Sequence, residues 1–203
     1  MQLRHATSAD RDQIASVTRS AFEEGEDGPV ARVLEMLERT EAVRASLVAT
    51  EDDRIVGHVQ LNRSWIDARE RLVDVLVLSP LSVAPDRQGQ GIGTALVAAA
   101  LAEAARLGDP AVFLEGGGDY YGERGFRRAS EFGFSRPSPR IPDRAFQVAL
   151  LPSWQAWMVG SLVYCEAFWA TDTVGLRDPL LMEMEARSAA SPTEEPRQTG
   201  ASA

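Results

Sequence analysis

The stretch from Leu76 to Leu96 constrains this chain more than any other. It opens on Leu76-Val77-Leu78-Ser79-Pro80-Leu81-Ser82-Val83, whose Leu and Val content suits a buried strand. Pro85 ends that strand, because proline has no N–H for a ladder. Gly89, Gly91 and Gly93 follow at every second position. Glycine reaches backbone angles closed to other residues and holds no side chain against a ligand. From Thr94 to Arg106 the sequence turns helical and rich in alanine. A helix start leaves N–H groups unpaired and a partial positive charge facing back down the chain. Strand, glycine turn and helix start together predict a site for an anion, most naturally phosphate.

Two common phosphate loops do not fit. A P-loop needs Gly-Lys-Ser/Thr, and the chain contains no lysine. Gly89-Gln90-Gly91-Ile92-Gly93-Thr94 also lacks the Gly-x-Gly-x-x-Gly spacing of dinucleotide folds. The formal net charge of −9 would repel a nucleic-acid backbone, which removes that class of partner. An acidic surface favours cationic amines, although solubility alone also accounts for it. The lone cysteine, Cys165, rules out an internal disulfide and suits a reducing compartment. The sequence from Met1 to Ala6 has no apolar signal core, and no apolar run has membrane-spanning length, so a cytoplasmic protein without a membrane partner is expected.

With 203 residues, 44 % of them apolar, one domain with a small appendage is expected. Met1–Ala6 reads as a strand, and Thr7 to Asp10 offers caps for a helix carrying Ile14, Val17 and Ala21 on one face. An acidic breaker, Glu23 to Pro29, precedes a second helix over Val30–Arg39. Ser46–Thr50 and Ile55–Leu61 form a hairpin across Glu51–Arg54, and Asn62–Arg71 reads as a connection to the central strand. Gly108 and Pro110 close the alanine-rich helix. Ala111–Leu114 then reads as a buried parallel strand in a right-handed unit, with ligands expected at the carboxyl ends of its strands. A short helix over Tyr120–Arg124, strands at Phe132–Phe134 and Ala145–Leu150, and an aromatic flap with a strand at Gly160–Tyr164 complete the core. The organisation expected is a main domain over 1–150, an aromatic extension packed on it over 151–184, and a disordered tail over 185–203.

Gln88-Gly89-Gln90-Gly91-Ile92-Gly93 fits Gln/Arg-x-x-Gly-x-Gly, and Tyr121-Gly122-Glu123-Arg124-Gly125-Phe126 fits Tyr-x-x-x-Gly-Phe. In that order, after Leu81-Ser82-Val83-Ala84-Pro85, they closely resemble the GNAT-type N-acetyltransferase superfamily. The resemblance covers roughly Met1 to Leu150, and Gly89 to Phe126 is its specific part. It implies an α/β fold of the acyl-CoA N-acyltransferase type, with a central mixed sheet flanked by helices. It implies acetyl-CoA as co-substrate, its pyrophosphate on the backbone of Gln88, Gly89, Gln90, Gly91, Ile92, Gly93 and Thr94. Its pantetheine arm would run along the main chain of Leu81, Ser82 and Val83. Many members carry an asparagine after the strand that here ends in Leu114; this chain has Glu115 and three glycines instead.

Acetyl transfer also needs an acid for the leaving thiolate and a neutral amine. Tyr121 matches the family's general acid, since a phenol stays protonated at neutral pH. Tyr120 takes the role if the helix register shifts by one, and a packing tyrosine is the bland alternative. Glu115, at the strand end, is a candidate base, with a solvated loop carboxylate as the alternative. His58 reads as a structural strand histidine, His5 has no evident partner, and Cys165 reads as buried filler. No cluster has metal-ligand spacing. Trp154, Trp157, Tyr164 and Trp169 either line an acceptor pocket or simply cover the core. The expected activity is direct transfer of acetyl to a small-molecule or peptide amine. The competing reading is an acyl-CoA-binding sensor without turnover. A homodimer is open to either.

Overall fold

A computed structural model describes residues 1–23, 25 and 28–190. Strand β1 (Gln2–His5) leads through a 3-10 turn (Ser8–Asp10) into α1 (Arg11–Phe22). Asp10 shapes that junction: its Oδ2 accepts from the Thr7 N–H at 2.7 Å, and its carboxylate takes both Arg4 guanidinium nitrogens at 2.7 Å. Helix α2 (Pro29–Arg39) follows, starting one residue before the expected position, with proline in its first turn.

Strands β2 (Val43–Glu51), β3 (Arg54–Ala68) and β4 (Leu72–Val83) form an antiparallel meander. The β2–β3 turn holds Asp52 at φ 46° and Asp53 at φ 60°, and a two-residue hairpin of this kind needs both positive. The connection expected over Asn62–Arg71 is mostly strand instead, and the side chains of Asn62 and Arg63 find partners on β4. Asn62 and Ser64 are fully buried. Gln60 Nε2 donates to Asn62 Oδ1 at 2.8 Å, and Asn62 Nδ2 donates to the Ser79 carbonyl at 2.6 Å. Pro80 is tolerated in β4 where the register against β3 shifts between Val59 and Leu61.

Helix α3 (Ile92–Leu107) begins two residues earlier than the sequence suggests and ends at Gly108 in the left-handed conformation. It crosses to β5 (Ala111–Glu115), which runs parallel to β4. Then come α4 (Gly118–Gly122), the two-residue β6 (Arg127–Arg128), β7 (Phe146–Leu150), β8 (Gly160–Tyr164), α5 (Glu166–Ala170) and α6 (Leu180–Ala190). The short helix thus lies two residues before its expected span. Phe132–Phe134 is not a strand: a 3-10 turn covers Ala129–Phe132, and Gly133 in the left-handed region stops it. That turn buries Phe134 edge-on against Phe113, with centroids 5.0 Å apart. Helix α6 covers the start of the segment expected to be disordered; residues 191–203, and Glu24, Glu26 and Asp27 of the acidic breaker, lie outside the described residues.

The sheet order is β1-β2-β3-β4-β5-β7-β6, with only β4–β5 parallel. Strand β8 pairs with Ser64–Ala68 of β3, beyond the point where β2 leaves it. Alternation along β4 builds the two layers. Leu76 and Leu78 face α3 with Leu96, Val97 and Ala100. Val73, Val75 and Val77 face the other way, into a core shared with Val33 and Leu37 of α2 and with Leu162, Tyr164 and Phe168 of the extension.

Candidate active site

The loop before α3 is shaped by backbone. Gly89 and Gly91 have φ of 73° and 82°, a region closed to most side chains. The first bond of the helix runs from the Ala95 N–H to the Gly91 carbonyl. The N–H groups of Ile92, Gly93 and Thr94 precede it and have no helical partner. They line a cleft of about 550 Å³ with Leu81, Val83 and Gln88. Space beyond Gly89 and Gly91 is open, whereas a Cβ at Gly93 would strike the Tyr120 hydroxyl. Two arginines that the sequence did not single out complete the wall. Arg124 stacks 3.7 Å over the Tyr120 ring, and its Nε donates to Thr94 Oγ1 at 3.0 Å. Arg87 is held by Glu51 at 3.1 Å. A chain of net charge −9 thus presents free N–H groups and guanidinium groups at this cleft, which fits a polyanion such as a pyrophosphate. Gln90 stands outside it, its Nε2 donating to the Asp86 carbonyl at 3.3 Å.

The second element is a parting of strands. Strand β4 pairs with β5 only at Leu76–Val112 and Val77–Phe113, although it continues to Val83. On its other side it stays paired with β3 as far as Val83. From Leu78 onward the β5-facing edge of β4 therefore has no strand partner among the described residues. Leu81 and Val83 face the cleft, while Ser82 points to the opposite face and donates to Thr18 Oγ1 at 3.1 Å. Unpaired main-chain amides along such an edge suit an extended amide-bearing ligand. The residues present therefore fit both ends of a CoA-type molecule.

A second cavity, about 620 Å³, lies where the strands part. Val77, Leu78 and Glu115 contribute to it from the sheet, and Tyr164 to Met184 of the extension supply much of the rest. Phe22, the last residue of α1, lines both cavities. Glu115 is half-buried; its Oε1 accepts from the Tyr164 hydroxyl at 2.8 Å and its Oε2 from the Gly175 N–H at 3.1 Å. Burial raises the Glu115 pKa above the usual carboxylate range, and those two hydrogen bonds oppose the rise without cancelling it.

The two tyrosines occupy different stations. Tyr120 lies beside the glycine loop and the start of α3. Tyr121 lays its ring over Gly116, just past β5, and packs on Phe126 with centroids 5.8 Å apart. Burial pushes its phenol up to about 12. Tyr120 lines the first cavity, whereas Tyr121, His58, His5 and Cys165 line neither. His58 is fully buried, its Nε2 2.9 Å from Ser46 Oγ, and burial lowers its pKa to about 4. His5 does have a partner, Glu103, at 3.6 Å on the surface. Cys165 is buried with its pKa raised by burial. Of the aromatic group, Tyr164 lines the second cavity, Trp154 and Trp157 pack on the core, and Trp169 is exposed. Among the described residues no group of three His, Cys, Asp or Glu side chains could hold a metal, and no helix is long and apolar enough to cross a membrane.

Comparison with known proteins agrees with this geometry. The acetyltransferase (GNAT) domain family matches residues 2–129, and the chain belongs to that family. It is 30 % identical over 137 residues to the N-acetyltransferase YjhQ of Escherichia coli, covering 66 % of this chain and 74 % of that one. The structure is similar to the GNAT acetyltransferase YhbS of Escherichia coli in complex with CoA, with TM-score 0.74, 26 % identity, and coverage of 82 % and 91 %. It is also similar to a GNAT acetyltransferase of Brucella melitensis in complex with acetyl-CoA, with TM-score 0.66, 27 % identity, and coverage of 82 % and 97 %.

Proposed function

We propose that the protein transfers acetyl from acetyl-CoA directly to a primary amine. The observation that carries this reading is the parting of β4 and β5 between an anion-binding cleft on one side and a carboxylate-bearing cavity on the other. Acetyl-CoA supplies an acyl thioester; the chain supplies alignment and proton handling. The N–H groups of Ile92, Gly93 and Thr94 hold the pyrophosphate, with Arg124 adding charge at its flank. The free edge of β4 pairs with the amide-bearing arm and directs it to the strand opening, where a main-chain amide polarises the carbonyl. An N–C bond forms, the C–S bond breaks, and one proton leaves nitrogen while another reaches sulfur. Glu115, in its ionised form, takes the proton from nitrogen. Tyr121 protonates the sulfur; its position past the end of β5 supports this over Tyr120, which lies at the phosphate end.

The test is binding followed by turnover. Acetyl-CoA should raise the melting temperature by mass action and release free thiol when amines are added, while NAD and ATP should do neither. Stabilisation by NAD and not by acetyl-CoA would sink the reading.

A further inference from the structure

The second cavity also says what kind of amine it takes. Its walls are apolar: Phe22, Val77, Phe168, Leu176, Leu180 and Met184 contribute from four elements of the chain and the loop before α6. Two carboxylates reach it, Glu115 and Asp172. Asp172 is already spent, because Arg177 holds it at 2.6 Å and Arg140 at 3.4 Å. Glu115 forms no direct salt bridge among the described residues: Tyr164 and Gly175 give it neutral hydrogen bonds, and Arg140, already engaged with Asp172, acts on it only through space. The cavity thus offers one carboxylate without a direct ion pair, at the end of β5 beside the strand opening, and a hydrophobic chamber leading away from it. One ammonium is matched there. A second would have to lie against apolar walls or beside two arginines, unpaired and partly desolvated.

We propose that the acceptor is a monoamine carried on an apolar body, and that residues 164–184 of the extension select it. The inference rests on the acetyltransferase reading above. It explains why nearly half of the chamber's lining comes from beyond residue 150: the sheet supplies Glu115, and the extension supplies the walls that the body of the acceptor touches.

The experiment uses the full chain with acetyl-CoA and compares 2-phenylethylamine and octylamine with spermidine and kanamycin. The monoamines should show kcat/KM at least about tenfold higher, the scale on which apolar pockets discriminate. Leu180→Glu adds a carboxylate without an ion-pair partner at an exposed wall position, so the fold is not at risk. It should raise KM for octylamine and lower it for spermidine, leaving acetyl-CoA affinity unchanged. Equal or better turnover of the polycations overturns the proposal, as does a parent protein that binds acetyl-CoA yet neither binds nor acetylates either monoamine in calorimetry and thiol release. An unchanged preference in Leu180→Glu removes the extension from the selection. Failure to bind acetyl-CoA is the distinct result that removes the acetyltransferase reading itself.

Discussion

The two cavities are built from different materials. The first is made of backbone: three N–H groups at a helix start, two glycines in the left-handed region and a strand edge left open. The second is made of side chains from α1, α2, β4, β5 and the extension, gathered from positions as far apart as Phe22 and Met184. A backbone site demands particular residues at fixed short spacing, because glycine reaches the angles without strain and leaves room for a ligand. A side-chain site asks only for apolar volume and one carboxylate, which many sequences provide.

The contrast can be broken by attacking each cavity with its own chemistry. Gly91→Glu should have the largest effect. It forces a side chain into φ 82° and puts a carboxylate at the proposed pyrophosphate site, so acetyl-CoA affinity should fall at least about 100-fold in calorimetry. Tyr121→Phe removes one hydroxyl; affinity should hold while kcat falls about 100-fold or more, the range of a general acid. Tyr120→Phe should leave kcat nearly unchanged, and the reverse outcome would hand the role to Tyr120.

Glu115 sharpens the comparison through pH. Its pKa lies above the ordinary carboxylate value because it is buried, and only the ionised form accepts a proton. Activity should therefore fall as pH drops through that raised value, above the usual carboxylate range. Tyr164 donates to the carboxylate and lowers its pKa, so Tyr164→Phe should move the acid limb to higher pH. Glu115→Gln should remove that limb and lower kcat/KM about 100-fold.

The smallest effect belongs to a region remote from both cavities. Arg4, and then the Thr7 N–H, hold the Asp10 pKa well below its ordinary value. Such a group stabilises the fold above its unfolded pKa, near 3.8, and the contribution is lost as pH falls toward the lower folded value. Asp10→Ala should cost about 1 kcal/mol at pH 7 in chemical denaturation, less at pH 3, with acetyl-CoA binding intact.

The same division explains what could be read in advance. The glycine loop, the β4–α3–β5 unit and the two-residue hairpin at Asp52-Asp53 are local, and local chemistry sets them. The far half of β3 was not legible, because Asn62 looks like a loop residue until β4 supplies the carbonyls its side chain donates to. Phe132 and Phe134 have strand propensity, yet Gly133 and the slot beside Phe113 decide otherwise. Glu115 could be named from its place after an apolar strand. Tyr164 and Gly175, which hold it, are 49 and 60 positions away, and no spacing rule connects them. Arg124 sat within a recognised motif, but only the fold turns it toward Thr94.

Strand β8 hydrogen-bonds to Ser64–Ala68, the far end of the same β3 whose near end pairs with Leu81–Val83 of β4. Anyone wishing to exchange acceptor preference between relatives by splicing tails would therefore be cutting through a sheet. A chimaera joined at residue 150 sets a foreign β8 against a resident β3, with a register that neither parent has tested. The transplantable unit is the tail together with Ser64–Ala68, two pieces nearly a hundred residues apart that must travel as a pair.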